Sequence, residues 1–566
     1  MNKRLTVGLL LAAVVALALR CPRLDERPMH NDEAVNAIKF GQLWEHGVYR
    51  YDPNEHHGPA LFYATLAVAR LTSTPDFEHL TETKLRLITV AFGLGLIVLL
   101  PLISDGLGQR AAIWAGVFTA VSPAMVFYSR YYIHEMLLVF FPLLILAAGW
   151  RYWQTRKAGY ALLAGAGAGL LHATKETFVI SLAAGALALG ANQAWNRMLD
   201  ASSPPVRRRP INFMHLAAAL AVWVLVALTL FSSFFTNPSG PLDSVRTYLP
   251  WAGRAGGDSP HVHPWHFYLH RLIFLHAPKG PIWSEALILA LALLGAGAAF
   301  ARKGLADANA SFVRFLALYT FALTAAYSFI SYKTPWCLLS FWHGMILLAG
   351  VGAAVAVRVV GQASRLSVGR LAPGAGNAGE TPGAAGTTPA PLRKRLLVRG
   401  ALNRVAPVWH WRGRLACLLL FAGTAHLAWQ AWQAGVPYAA DQRNPYVYAQ
   451  TSPDILKLIR RVEALAAVHP QGHQMLLKVI AAESDYWPLP WYLRAFKQIG
   501  WWDAMPADPF APVMIVSSKF RAELDERKTH LMTGYFELRP QVFMELYVQL
   551  DLWRNYLKQN PTGRPE

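Results

Sequence analysis

Residues 59–69 read PALFYATLAVA, an apolar run of eleven residues with polar chain on both sides. As a helix it is too short to cross a bilayer, which takes about 20 residues, so it is expected to lie along the interface. The fold turns on this reading. If 59–69 is not a span, the longer apolar runs alternate across the membrane in one order; if it is, every later loop changes sides.

Those longer runs lie near 5–19, 85–104, 111–128, 135–150, 159–173, 177–195, 212–234, 283–301, 312–330, 336–357 and 415–431. They predict about eleven transmembrane helices. Composition agrees, since 54% of the 566 residues are hydrophobic and only 15% charged, whereas soluble domains carry roughly 25% charge. The first run follows Lys3 and Arg4 and lacks a small-residue cleavage site, so it is expected to stay as a signal anchor with its N-terminus inside. Arg20 beside Cys21 spoils a lipoprotein signal. With that start, the inner loops hold Arg110; Arg151, Arg156 and Lys157; Arg197 and Arg207 to Arg209; Arg302 and Lys303; and the linker before Arg414. All are basic, as inner loops should be. The net charge of +20 therefore reads as a topology signal and not as a nucleic-acid surface. Cys21, Cys337 and Cys417 have neither disulfide nor metal spacing.

Three segments then fall outside: loop 22–84, loop 236–282 and a tail from 434. The first holds 6 basic and 10 acidic residues, and topology does not ask for those carboxylates. Residues 1–360 form the main membrane domain, 361–412 a flexible basic linker inside, 413–433 the last span and 434–566 a small external α/β domain. The linker contains APGAGNAGETPGAAGTTPAP (372–391) and LRKRLLVRG (392–400), the latter suited to anionic membrane lipid. The tail has 15 basic and 14 acidic residues and alternates helix-like with strand-like stretches. The fold expected is an all-α polytopic membrane domain with a small C-terminal α/β domain.

Five motifs carry the chemistry. RPMHNDEAVNAIKFGQLWEHG (27–47) sets Asp32 and Glu33 before a helical stretch; Asn31 or Asp32 would cap that helix and Glu33 favour its N-terminus, a role compatible with catalysis. YDPNEHHGPALFY (51–63) brings Glu55, His56 and His57 to the interfacial helix. SRYYIHEM (129–136) sets Arg130, His134 and Glu135 at the outer mouth of a span, where charge is costly unless used. HATKETF (172–178) and SYKTPW (331–336) place Lys175 and Lys333 in outer turns, against the topological bias. GAGAG (165–169) mimics a dinucleotide loop but sits inside an apolar run with no strand before it, so it reads as helix packing through small residues.

The Asp-Glu pair in the first outer loop, the His-Gly-Pro before the interfacial helix, the cations Lys84 and Arg86, the second acidic site and Thr174-Lys175 together resemble the GT-C membrane glycosyltransferases. The likeness is to the branch of protein O-mannosyltransferases and aminoarabinose transferases, and most of all to prokaryotic flippase-activity-associated proteins. It covers about residues 1–360, with NPYVYAQTSPD (444–454) and DYWPLPWYLR (485–494) of the tail also similar to the last group. The resemblance implies transfer of a sugar from a polyprenyl-phosphate donor to a lipid, glycan or protein acceptor at the outer face of the cytoplasmic membrane. It implies Asp32 as the catalytic carboxylate, with Glu33 and Glu135 as further acidic residues of the site. Arg86, Arg130, Lys175, Lys333 and His57 would bind the donor phosphate. Asp32, His57 and Glu135 would be the ligands of a divalent cation, if one is used. His134-Glu135 departs from the Asp or Asp-x-Glu of many relatives, and Thr174-Lys175-Glu176-Thr177 keeps only the Lys of their turn. A flippase or transporter, and a noncatalytic scaffold of the same fold, are the competing readings. A transporter would put its charges near the midplane in broken helices, whereas here they gather at outer loop ends.

Overall fold

A computed structural model describes residues 2–54, 57–199, 210–257, 259, 261–369 and 410–560. Each predicted span is helical, and among the described residues eight of the eleven have the length and composition of a full span, counting one bent pair as a single span. Seven helices have the length and composition of a span: Glu82–Leu107, Glu135–Thr155, Phe178–Met198, Phe213–Phe231, Ala310–Phe329, Pro335–Arg358 and Leu415–Gly435. An eighth is Gln109–Val121 joined to Pro123–Ser129 with a bend of 59°. The bend has a local cause: Pro123 has no N–H to continue the first helix and its fixed φ suits the first turn of a new one, while the Ser122 side chain accepts from the Met125 N–H.

The other three of the eleven expected spans are helical too but fall outside that test of length and composition. Lys3–Arg20 is 18 residues long but carries Lys3, Arg4 and Arg20. Ala158–His172 and Ala286–Ala301 have 15 and 16 residues, or roughly 23–24 Å at the helical rise, less than a bilayer core. Ala60–Leu71, at 12 residues, is too short to cross, as its sequence predicts.

The bundle holds its polar groups by pairing them. Arg20, fully buried at the end of its helix, donates to the carbonyls of Thr119 (2.7 Å) and Ala120 (2.9 Å) and to Ser129 Oγ (3.1 Å). A buried guanidinium survives only with such partners. GAGAG packs as small residues should: a Cβ on Gly165 would sit 2.1 Å from the Ala219 carbonyl oxygen, so the glycine permits the helix Phe213–Phe231 to lie against it.

The tail forms the expected α/β unit. Its five-stranded sheet runs in the spatial order Ile499–Trp502, Leu477–Ile480, Val513–Ser517, Val542–Gln549, His530–Arg539. The first three strands are parallel and the last two pair antiparallel. Helix Ile455–Val468 buries Ile455, Leu458, Val462 and Leu465 against the sheet, the 3–4-residue spacing of an amphipathic helix. This unit touches the first outer loop: Tyr492 Oη receives the Met29 N–H at 2.8 Å, and Trp491 Nε1 donates to Glu82 at 2.7 Å. Residues 370–409 of the basic linker lie outside the described residues, as do Arg207 to Arg209, Glu55 and His56.

Candidate functional site

The site is assembled around the start of the helix Asn31–His46. Its N-cap is His30, not Asn31 or Asp32 as the sequence suggests. His30 Nδ1 accepts the Asp32 N–H at 3.1 Å, and the Glu33 carboxylate accepts the His30 N–H at 3.0 Å. A neutral imidazole nitrogen is an acceptor like a serine oxygen, so it can close the same reciprocal box.

Glu33 is completely buried. Its oxygens receive Arg86 Nε and Nη2, both at 2.9 Å, Arg27 Nη2 at 3.0 Å and the Tyr132 N–H at 2.9 Å. Burial opposes its ionisation, but Arg27 and Arg86 outweigh burial and hold the carboxyl well below its usual range. Arg27 lies 3.7 Å over the Tyr131 ring. Every oxygen of Glu33 is thus engaged. Asp32, its neighbour, is the opposite: its side chain is half exposed (51%), and Oδ1 stands 3.9 Å from the neutral His30 Nδ1. Among the described residues no donor bonds its carboxylate.

Two further loops face Asp32. His261-Val262-His263 lies beside Ser331-Tyr332-Lys333, with the Lys333 N–H on the His261 carbonyl (2.9 Å) and the His263 N–H on that of Ser331 (3.3 Å). Lys333 Nζ also donates to the carbonyls of His263 (3.0 Å) and Ile330 (2.5 Å). His261 is depressed by burial, which outweighs the pull of Asp32. His263 is depressed by burial and by the nearby charges of Arg271 and Lys333. The chain returns from the C-terminal side to complete the ring, with Tyr448 Oη 2.8 Å from His261 Nδ1 and 3.2 Å from His263 Nε2.

The remaining predicted residues form a separate group. Lys175 Nζ pairs with Glu135 Oε1 at 2.6 Å, and both are buried; the pairing overcomes burial and keeps the lysine charged. His57 Nδ1 meets Glu176 Oε2 at 3.0 Å. Burial would raise the Glu176 pKa, yet His57 and Lys175 bring it down to about 2. The His-Gly-Pro motif has a steric reason. Gly58 N–H donates to the Thr174 carbonyl at 3.1 Å, and Ala60 N–H to that of Ala173 at 2.8 Å; a Cβ on Gly58 would stand 2.2 Å from the Ala173 oxygen. Arg130 caps the helix Lys3–Arg20, donating to the carbonyls of Arg20 (2.8 Å), Pro22 (2.7 Å) and Arg23 (3.1 Å), where a helix end favours a cation.

Two expectations change here. Arg86, Arg130, Lys175 and Lys333 each have local partners and do not share one open cradle; Arg86 and Lys175 spend their charge on Glu33 and Glu135. Asp32, His57 and Glu135 do not converge, and among the described residues no three His, Cys, Asp or Glu side chains are grouped to hold a metal. His57 and Glu135 each turn to another ion-pair partner instead. Sequence reading missed His30, His261, His263 and Tyr448. The H-x-H at 261–263 was the available signal, since alternate residues of an extended segment share a face.

Residues 63–237 match the family model described as dolichyl-phosphate-mannose-protein mannosyltransferase. Among solved structures, ArnT from Cupriavidus metallidurans, in a crystal structure bound to undecaprenyl phosphate, is 16% identical with a TM-score of 0.56 over 95% of this chain and 97% of that one. The Archaeoglobus fulgidus oligosaccharyltransferase tethered to an acceptor peptide is 14% identical with a TM-score of 0.50, over 88% of this chain and 64% of its own. No curated protein matches. The family match and the structural likenesses agree: the chain has the fold of the GT-C glycosyltransferases.

Proposed function

We propose that the chain is a membrane glycosyltransferase that moves a sugar from a polyprenyl-phosphate carrier to a hydroxyl acceptor at the outer face, with Asp32 as general base. The observation that carries this reading is the contrast between the two adjacent carboxylates. Glu33 is locked among arginines, so it neither takes a proton nor meets a substrate. Asp32 is held on the same rigid helix start with its oxygens open. Environments that separate neighbouring acids in this way mark their roles.

The chemistry needs little more. Asp32 takes the proton of the acceptor hydroxyl as its oxygen attacks the anomeric carbon. The bond from that carbon to the phosphate oxygen breaks, and its electron pair leaves with the polyprenyl phosphate. A phosphate departs without an acid, so no second carboxylic acid is needed of the kind glycosidases use. Lys333 sits on the loop facing Asp32 and bonds only carbonyls among the described residues, which leaves its charge unneutralised for the leaving phosphate. In the same reading the first outer loop and the tail lie on the extracytoplasmic side, and the acceptor is a lipid, glycan or protein. The match to a mannosyltransferase model, and the undecaprenyl phosphate bound by ArnT, support a lipid-phosphate donor.

The test supplies purified protein with an extract of the source membranes that holds both the polyprenyl-phosphate-sugar donor and the hydroxyl-bearing acceptors. Release of polyprenyl phosphate should be seen with the wild type and should fall at least about 100-fold in Asp32→Asn, the scale of general-base catalysis. Release within threefold of wild type would remove Asp32 from the reaction.

A further inference from the structure

The segment that follows the last membrane helix does not go directly to the sheet domain. Residues 444–451 first run back through the outer end of the bundle. Tyr446 Oη donates to the buried Glu285, and Tyr128 Oη donates to the Tyr446 carbonyl at 2.8 Å. Gln450 donates to the Pro28 carbonyl at 3.0 Å, and Thr451 to that of Met29 at 2.7 Å. Between these anchors stands Tyr448, and it touches the candidate site from two directions.

Its main chain fixes the first outer loop. His30 Nδ1 is occupied as acceptor of the Asp32 N–H, so the ring hydrogen is on Nε2, which donates to the Tyr448 carbonyl at 3.0 Å. The bond made by one ring nitrogen sets the state of the other. The cap that presents Asp32 is therefore oriented by the tail. Its side chain fixes the second loop. A tyrosine hydroxyl has one hydrogen to give and lone pairs to receive, so at 2.8 and 3.2 Å it can donate to one of His261 and His263 and accept from the other. That arrangement requires a neutral imidazole at the ring that accepts, and burial favours the neutral form of both. The ring itself packs edge-on to Trp336, 6.1 Å away, and Trp336 in turn meets His30 at 5.5 Å.

We infer that Tyr448 is a positioning residue that clasps the two outer loops around Asp32, so that sugar transfer depends on the segment after the last membrane helix. This rests on the reading of Asp32 as the base. The clasp joins three parts of the chain far apart in sequence, alongside the bonds of Gln450 and Thr451 to the first loop. Among the described residues its hydroxyl is the group that bonds both imidazole rings.

The full-length protein with Tyr448→Phe keeps the ring, its packing and the carbonyl that holds His30, and loses only the hydroxyl. With the same membrane extract, kcat should fall about tenfold or more, because small misplacements of a reacting group are costly. The donor KM should stay within about twofold and the thermal midpoint should not move. Amide hydrogen exchange should rise at residues 261–263 and stay unchanged in the sheet domain. His261→Asn reads the same contact from the other side and should give the same loss; combining the two should cost little more than either alone, as coupled residues do. An unchanged kcat in both single variants overturns the inference, and so does a loss in the double variant equal to the product of the two. Asp32→Asn, measured alongside, separates the causes. If it abolishes turnover while Tyr448→Phe leaves kcat unchanged, only the clasp is wrong; if it leaves turnover intact, the base assignment fails and the clasp with it.

Discussion

Two regions a few residues apart handle charge in opposite ways. Around Glu33, two arginines, two backbone amides and an aromatic ring leave no charge unanswered and no oxygen open. Asp32 bonds no donor among the described residues; it acts on His261 through space, and His261 belongs to a group of two depressed histidines, a tyrosine hydroxyl and a lysine resting on carbonyls. The first arrangement rigidifies; the second waits for a ligand. The difference shows that the acidic excess of the first outer loop is not one property. One carboxylate builds the platform and its neighbour stands on it.

The comparison breaks most visibly if Glu33 is dispensable. Glu33→Gln leaves Arg27 and Arg86 buried without a counter-charge, and losing one partner of such a group costs about 3–5 kcal/mol. The expected outcome is a sharp drop in folded yield and thermal midpoint; a stable Glu33→Gln protein would mean that the clamp is not structural.

The pair of Glu135 and Lys175 makes a similar prediction on a smaller scale. Either Glu135→Gln or Lys175→Met alone should lower the thermal midpoint, and the double variant should recover part of the loss, because it removes both buried charges together. Additive losses would show that the two side chains act independently.

Lys333 sharpens the other side of the comparison. Removing a charge-assisted contact to phosphate costs about 1.5–3 kcal/mol, so Lys333→Met should raise the donor KM roughly tenfold or more. An unchanged KM, checked by polyprenyl phosphate release at varied donor concentration, would leave Lys333 as a brace for the 261–263 loop.

The smallest effect at neutral pH belongs to Glu176. Its carboxyl is held at about 2, below its ordinary 4.5, so the stability it contributes is complete above 4.5 and is lost as pH falls from there toward 2. Thermal midpoints of wild type and Glu176→Gln should differ at pH 6 and draw together near pH 2; a constant gap would contradict the pairing with His57 and Lys175.

Much of this was legible in the sequence, and the limits have physical reasons. Helix positions follow from apolar runs, and the shortness of PALFYATLAVA was enough to keep Ala60–Leu71 from crossing. The runs 5–19, 159–173 and 283–301 are helical as expected, but the first helix carries three basic residues and the other two are short, features that apolarity alone does not show. The Asp32-Glu33 pair stood out, but their division of labour depends on Arg27 and on Arg86, which comes from another helix. The local partners of Lys175 and Arg130 were hidden for the same reason: Glu135 and the carbonyls after Lys3–Arg20 come from distant parts of the chain. Tyr448 lies in the quoted stretch NPYVYAQTSPD, but its role was hidden because its hydrogen-bond partners lie 185 to 418 residues away, beyond any local pattern.

The central claim is that adjacent carboxylates divide structure from chemistry, and it is tested most directly by measuring thermal midpoint and polyprenyl phosphate release in Asp32→Asn and Glu33→Gln side by side. The account predicts that Asp32→Asn keeps the wild-type midpoint and loses at least about 100-fold in turnover, while Glu33→Gln loses the midpoint, with turnover failing only as folded protein is lost. A destabilised Asp32→Asn that still turns over at the wild-type rate per folded molecule would contradict it.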